Sequence, residues 1–167
     1  MNEKIRHRLD ELRNRTASSE KYLVPGVRPM LEALDGMGLK MYLASGTDEQ
    51  YMRDEARLLD VDRYFTGGVY GALDDYKSFS KKILIQQVIA NSCCRGGDFL
   101  GFGDGYVEIE NVKEVGGTAV GVATAEPYCL HVDEWKRQRL AGAGADFIIP
   151  NFLNHEELLA ALFPQAA

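Results

Sequence analysis

Phe99-Leu100-Gly101-Phe102-Gly103-Asp104-Gly105-Tyr106-Val107-Glu108 is an apolar run that stops at one carboxylate and meets a second four residues later. Its apolar content and its glycine-marked end predict a buried strand over Asp98 to Gly103, with a helix opening near Gly105. The same alternation extends in both directions. Leu39 to Ala44, Tyr64 to Tyr70, Thr118 to Ala123 and Asp146 to Ile149 read as further strands, with amphipathic stretches between them. Upstream, Pro25-Gly26 leads into a helix from about Val27 to Met37. Thr47-Asp48-Glu49-Gln50 has the form of a capping box, Ser80 is placed to cap another helix, and Asn154-His155-Glu156-Glu157 opens the last one by the same logic. The helix after Gly105 is expected to stop at Gly116-Gly117, as a glycine C-cap does. Strand, helix, strand in repetition predicts an α/β fold: a doubly wound, Rossmann-like, mostly parallel sheet with helices on both faces.

Composition bounds the partners. The 167 residues include 19 basic and 25 acidic side chains, for a formal charge of -6, and the pI is near 5.1. That balance argues against binding nucleic acid by charge. Cys93, Cys94 and Cys129 are odd in number and form no CxxC pair, so a reducing, cytoplasmic setting is expected. No apolar run approaches the ~20 residues of a membrane helix, and Met1 to Arg15 has no apolar signal core, so no membrane partner is expected. Ile5, Leu9 and Leu12 instead place one narrow apolar face on a charged helix. Residues 1–20 therefore read as an amphipathic helix with linker, and residues 21–167 as the α/β core.

In open parallel sheets, ligands bind beyond the carboxyl ends of the strands, which selects three places. Ser45-Gly46-Thr47 follows the strand at Leu39 to Ala44, and there a hydroxyl and the amides of the next helix have the outline of an anion site. The same residues also suit the plainer role of ending a strand and capping a helix. Asp104 and Glu108, one helical turn apart, are hard oxygen ligands of the kind Mg²⁺ takes along with phosphate oxygens and water. Read plainly, they are a helix N-cap and a first-turn acid favoured by the helix dipole. Lys77, in the polar loop Asp74 to Lys77, is a candidate phosphate neutraliser, with Lys81 and Lys82 as rivals. A dinucleotide-binding glycine pattern fails, because Tyr106 stands where the third glycine belongs. Trp135, beside Lys136, Arg137 and Arg139, is expected to be a half-buried anchor, and Asp60-Val61-Asp62 a polar turn.

Leu43-Ala44-Ser45, Lys77, and Gly103-Asp104-Gly105 with Glu108 resemble, in that order, motifs two, three and four of the haloacid dehalogenase (HAD) superfamily. Pro25-Gly26-Val27, Tyr64-Phe65 and Gly116 to Val122 are similar to phosphoglycolate phosphatase and β-phosphoglucomutase relatives, so the likeness spans about residues 23 to 162. The resemblance implies a Mg²⁺-dependent phosphatase acting on a small phosphorylated metabolite through an aspartyl-phosphate. Ser45, Gly46, Thr47 and Lys77 would bind substrate, with Ser45 and Lys77 serving catalysis, while Asp104 and Glu108 would hold the metal.

The family's first motif, an apolar strand ending in Asp-x-Asp that supplies the nucleophile, is not found upstream of Ser45. In the resembled fold that strand lies mid-sheet, and Met1 to Glu20 is too charged to replace it. Residues 1–15 look like the end of a helical cap. The isolated chain is therefore expected to be inactive unless a separate N-terminal polypeptide, or a longer form of the protein, supplies motif one. The alternative is a catalytically silent α/β binding module that pairs its open sheet with a partner or a second copy.

Overall fold

Short apolar runs and amphipathic stretches alternate in the computed structural model as the sequence pattern predicts. The structure describes residues 3–72 and 80–164. In chain order the elements are α1 (Glu3–Arg13), α2 (Val27–Gly36), β1 (Tyr42–Asp48), α3 (Glu49–Leu58), β2 (Gly68–Ala72), α4 (Lys81–Asn91), β3 (Leu100–Gly103), α5 (Tyr106–Glu114), β4 (Thr118–Val122), α6 (Glu134–Gly142), β5 (Phe147–Ile149) and α7 (His155–Leu162). They divide between two units, one holding α1 to α3, β1, β2 and α7, the other α4 to α6 and β3 to β5.

In the first unit β1 and β2 run parallel, pairing Tyr42 with Gly68, Leu43 with Val69 and Ala44 with Tyr70, then Asp48 with Ala72 after an irregularity. Leu12 of α1 and Leu31 of α2 join Ala56, Leu59, Val61, Tyr64 and Val69 in one buried cluster. The amphipathic N-terminal helix thus buries its apolar stripe, as helical spacing requires. Arg28 donates to the carbonyls of Leu59 at 2.9 Å and Asp60 at 2.8 Å, closing the C-terminal end of α3. Asp60 takes a positive φ of 56° there, so Asp60-Val61-Asp62 is a turn, as expected.

In the second unit β3, β4 and β5 form a parallel sheet in that spatial order. Leu100 pairs with Thr118 and Gly103 with Gly121, while Val120 pairs with Phe147. Ile109 and Val112 of α5 and Leu140 of α6 cover Ala119 and Ala123 in the core. Asp146 ties the sheet to α5: its carboxylate accepts from the Ala119 amide at 2.8 Å and from the Lys113 ammonium at 2.9 Å.

The structure corrects several local expectations. Strand β1 starts at Tyr42, not Leu39, and continues through Ser45-Gly46-Thr47 to Asp48 because β2 still pairs with it at Ala72. Asp48, not Thr47, caps α3, its carboxylate accepting from the Gln50 amide at 3.0 Å and the Tyr51 amide at 3.4 Å. Tyr64 belongs to a 3-10 turn over Asp62–Tyr64, not to a strand; its buried hydroxyl donates to Glu32 at 3.2 Å. Ser80 and Asn154 stand at the N-cap positions of α4 and α7, yet neither side chain makes a capping hydrogen bond. Trp135 is 64% exposed instead of half-buried, because the buried face of α6 is carried by Leu140.

Candidate functional site

Asp104 leaves the carboxyl end of β3 and Gly105 caps α5, so the first turn of α5 is built directly on the strand end. Asp104 is exposed and accepts no hydrogen bond from a described residue. Glu108, one turn on, folds back over the glycines: a Cβ at Gly103 would lie 2.7 Å from that of Glu108, and one at Gly105 would meet its carboxylate. Glycine at position 103 is therefore a condition of Glu108's placement, whereas at 105 the carboxylate end of the flexible Glu108 side chain can shift aside.

Lys81, the first residue of α4, donates its ammonium to Oε1 of Glu108. Burial raises the Glu108 carboxyl, but the hydrogen bond from Lys81, a backbone amide and the Lys81 charge together hold it below the usual carboxylate range. Lys82 turns to Glu114 at 2.7 Å, toward the other end of α5. Of the three lysines left open by the sequence, Lys81 is thus the one placed at Glu108; Lys77 lies outside the described residues.

Ser45 and Thr47 make a local arrangement of their own in β1. The Thr47 amide donates to the Ser45 hydroxyl oxygen at 3.1 Å, and Gly46 between them is exposed. With one lone pair occupied, the Ser45 hydroxyl keeps its proton for an outside acceptor. At the start of α3 the Asp48 carboxylate already takes the amides of Gln50 and Tyr51.

Beside Asp104 lies a cleft of about 230 Å³ lined by Gly105, Tyr106, Trp135, Lys136, Arg139 and Leu140. The Arg139 guanidinium lies over the Trp135 ring at 4.5 Å and the Tyr106 ring at 4.9 Å. The sequence reading singled out Trp135 but not this cluster. The i,i+4 spacing of Trp135 and Arg139 signals a shared helix face, whereas Tyr106 joins them only through the fold.

Two carboxylates a turn apart at a strand end fit a hard divalent cation, which needs few protein ligands. Among the described residues no group of three or more His, Cys, Asp or Glu side chains is placed to hold a metal. Of the two carboxylates, Asp104 is exposed and Glu108 is bound to Lys81.

The model of the haloacid dehalogenase-like hydrolases matches residues 3–116, a stretch that holds β1, Ser45, Asp104 and Glu108. The chain belongs to the haloacid dehalogenase-like hydrolase family. No curated protein matches it. Solved structures carry the same α/β Rossmann-like fold. A HAD family hydrolase from Deinococcus radiodurans R1, with bound phosphate and sodium, is 17% identical with a TM-score of 0.66, covering 84% of this chain and 59% of its own. A conserved haloacid dehalogenase-like protein from Agrobacterium tumefaciens is 18% identical with a TM-score of 0.67, covering 83% and 60%. A β-phosphoglucomutase from Clostridium difficile is 11% identical with a TM-score of 0.61, covering 93% and 63%. This HAD-like chain thus spans about 60% of the length of such structures. No helix among the described residues is long and apolar enough to cross a membrane.

Proposed function

We propose that this chain is the metal- and phosphate-binding part of a Mg²⁺-dependent phosphate monoester hydrolase whose nucleophilic aspartate is supplied by another segment or polypeptide. The observation that carries the reading is the Asp104 and Glu108 pair at the end of β3, within the stretch that matches a hydrolase family. The phosphate bound by the Deinococcus hydrolase of the same fold supports it.

Each role follows from the chemistry of the side chain. Ser45 donates its free hydroxyl proton to a phosphate oxygen, Gly46 and Thr47 present backbone beside it, and Lys77 offsets the charge of phosphate and nucleophile. Asp104 and Glu108 would hold Mg²⁺, which supplies charge neutralisation at the phosphoryl oxygens when bound. Lys81 fixes the Glu108 carboxylate and balances its charge beforehand. In the reaction a carboxylate oxygen of the supplied aspartate bonds to phosphorus while the bond from phosphorus to the ester oxygen breaks. The alcohol leaves with a proton from a general acid, and water then attacks phosphorus, releasing phosphate and restoring the aspartate.

Among the described residues β1 pairs only with β2, and β3 only with β4. A strand edge without a neighbour accepts another strand through main-chain hydrogen bonds, which gives an added apolar strand ending in Asp-x-Asp a place to join. The donor is a separate N-terminal polypeptide or a further segment of a longer chain, a second copy serving only to complete the sheet, and the substrate is a small phosphorylated metabolite of the cytoplasm. Denaturing mass spectrometry of active material is expected to show a polypeptide bearing such a strand together with the 18.6 kDa chain. Active material containing this chain alone would overturn the reading.

A further inference from the structure

The cleft beside Asp104 has a chemistry that phosphate hydrolysis does not use. Arg139 lines it, and no described carboxylate lies within ion-pair reach of that guanidinium, although its neighbour Arg137 is paired with Glu134 at 2.6 Å. A guanidinium lying over aromatic rings engages them through its face and keeps its N–H edge for a planar oxyanion, which it grips with two parallel hydrogen bonds. The rings are open as well: Tyr106 is 43% exposed, and Trp135 keeps its outer surface in solvent. Lys136 adds a second positive charge, held in place by donation to the Thr124 carbonyl at 2.8 Å. The cleft therefore carries two cations against the single carboxylate of Asp104. Its volume of about 230 Å³ suits a group of a few heavy atoms, not a polymer.

We infer that Arg139, seated on Trp135 and Tyr106, is an oxyanion subsite that receives a carboxylate or a second phosphate carried by the alcohol portion of the substrate. The inference rests on the phosphatase reading for the identity of the ligand as a substrate, but the subsite itself does not. Its residues on α6 lie beyond the 3–116 stretch that the family model matches. With Asp104 on the rim, the phosphate ester faces the strand end while its other anionic end turns to α6. Substrates carrying one negative group are disfavoured, because Arg139 is then left without an acceptor. Tyr106 and Trp135 contact the carbon skeleton between the two anionic ends.

The test uses the protein's only tryptophan, which is Trp135 itself. Inorganic phosphate and, separately, malonate are titrated into the whole chain without Mg²⁺ while Trp135 emission is followed at constant ionic strength. At least one of them is expected to give a saturable change, and the tighter of the two identifies the source of the oxyanion. Arg139→Gln is expected to weaken it by about tenfold or more, and Arg139→Lys, which keeps the charge but not the fork, by a smaller factor. Asp104→Asn, which stops turnover in the phosphatase reading, is expected to leave the titration saturable. A response that is absent for both anions, or equal in wild type and Arg139→Gln, overturns the inference. Far-ultraviolet circular dichroism of both Arg139 variants confirms that α6 is still folded. Loss of the titration leaves Mg²⁺-dependent turnover standing, and loss of turnover leaves the titration standing, so the two failures are distinguishable.

Discussion

Lys81 at the start of α4 donates to Glu108 in the first turn of α5, so the second carboxylate of the candidate metal site is already neutralised by a residue of its own unit. Both side chains are about three-quarters buried, at 24% and 28% exposure, where a broken charge pair costs more than at an open surface. Lys81→Met should lower stability by about 1 to 2 kcal/mol at neutral pH, the range of a hydrogen bond to a charged group. Glu108→Gln added to it should cost little more. Urea denaturation of the two single variants and the double variant gives the coupling directly, and strictly additive losses would show that the pair contributes nothing.

Asp48 carries the N-terminus of α3 through the amides of Gln50 and Tyr51. Asp48→Ala should destabilise the protein by about 1 kcal/mol, the usual value of a lost cap, whereas Thr47→Ala should cost less because Thr47 contributes no cap. Thermal unfolding of the two variants checks the order. The reverse order would restore Thr47 as the cap.

Asp146 gives the protein a defined acid sensitivity. Its partial burial raises the carboxyl, but the Ala119 amide and the Lys113 ammonium outweigh that and hold it below its ordinary value. A carboxyl depressed in the folded state contributes stability that is complete above its unfolded pKa, about 3.9, and is lost as pH falls through the lower folded value. Asp146→Asn should therefore be less stable than wild type at pH 7, by about 1 kcal/mol for this partly exposed and screened group. The gap should narrow below about pH 4. Denaturation midpoints of both proteins across that interval test the sign, and a gap that widens on acidification would contradict it.

Much of this architecture is legible in the sequence because its signals are local. Apolar runs of strand length separated by amphipathic stretches give β3, β4, β5, α2 and α5 at nearly their observed limits, and Gly116, at a φ of 82°, ends α5 as a glycine stop predicts. The errors fall where two neighbouring residues can do the same work. Thr47 and Asp48 are both good caps, and only the pairing of β1 with β2 decides that Thr47 stays in the strand. Lys77, Lys81 and Lys82 are chemically alike, and the position of α4 against α5 distinguishes Lys81 from Lys82. The Arg139 cluster has no local sequence signal because its rings come from two helices, and Tyr106 and Arg139 are adjacent only after folding.

The central claim is that this chain holds the metal- and phosphate-binding residues of a phosphatase but takes its nucleophile from elsewhere. The most direct measurement is Mg²⁺-dependent release of p-nitrophenol from p-nitrophenyl phosphate, with and without an added peptide carrying an apolar strand that ends in Asp-x-Asp. No turnover is expected from the chain alone. Turnover should appear with the peptide, vanish with EDTA, and fall by at least about a hundredfold in Asp104→Asn, as loss of charge stabilisation in phosphoryl transfer does. Turnover by the chain alone, or a complemented mixture that stays silent although the peptide binds, would contradict the account, and the silent case would favour a binding module.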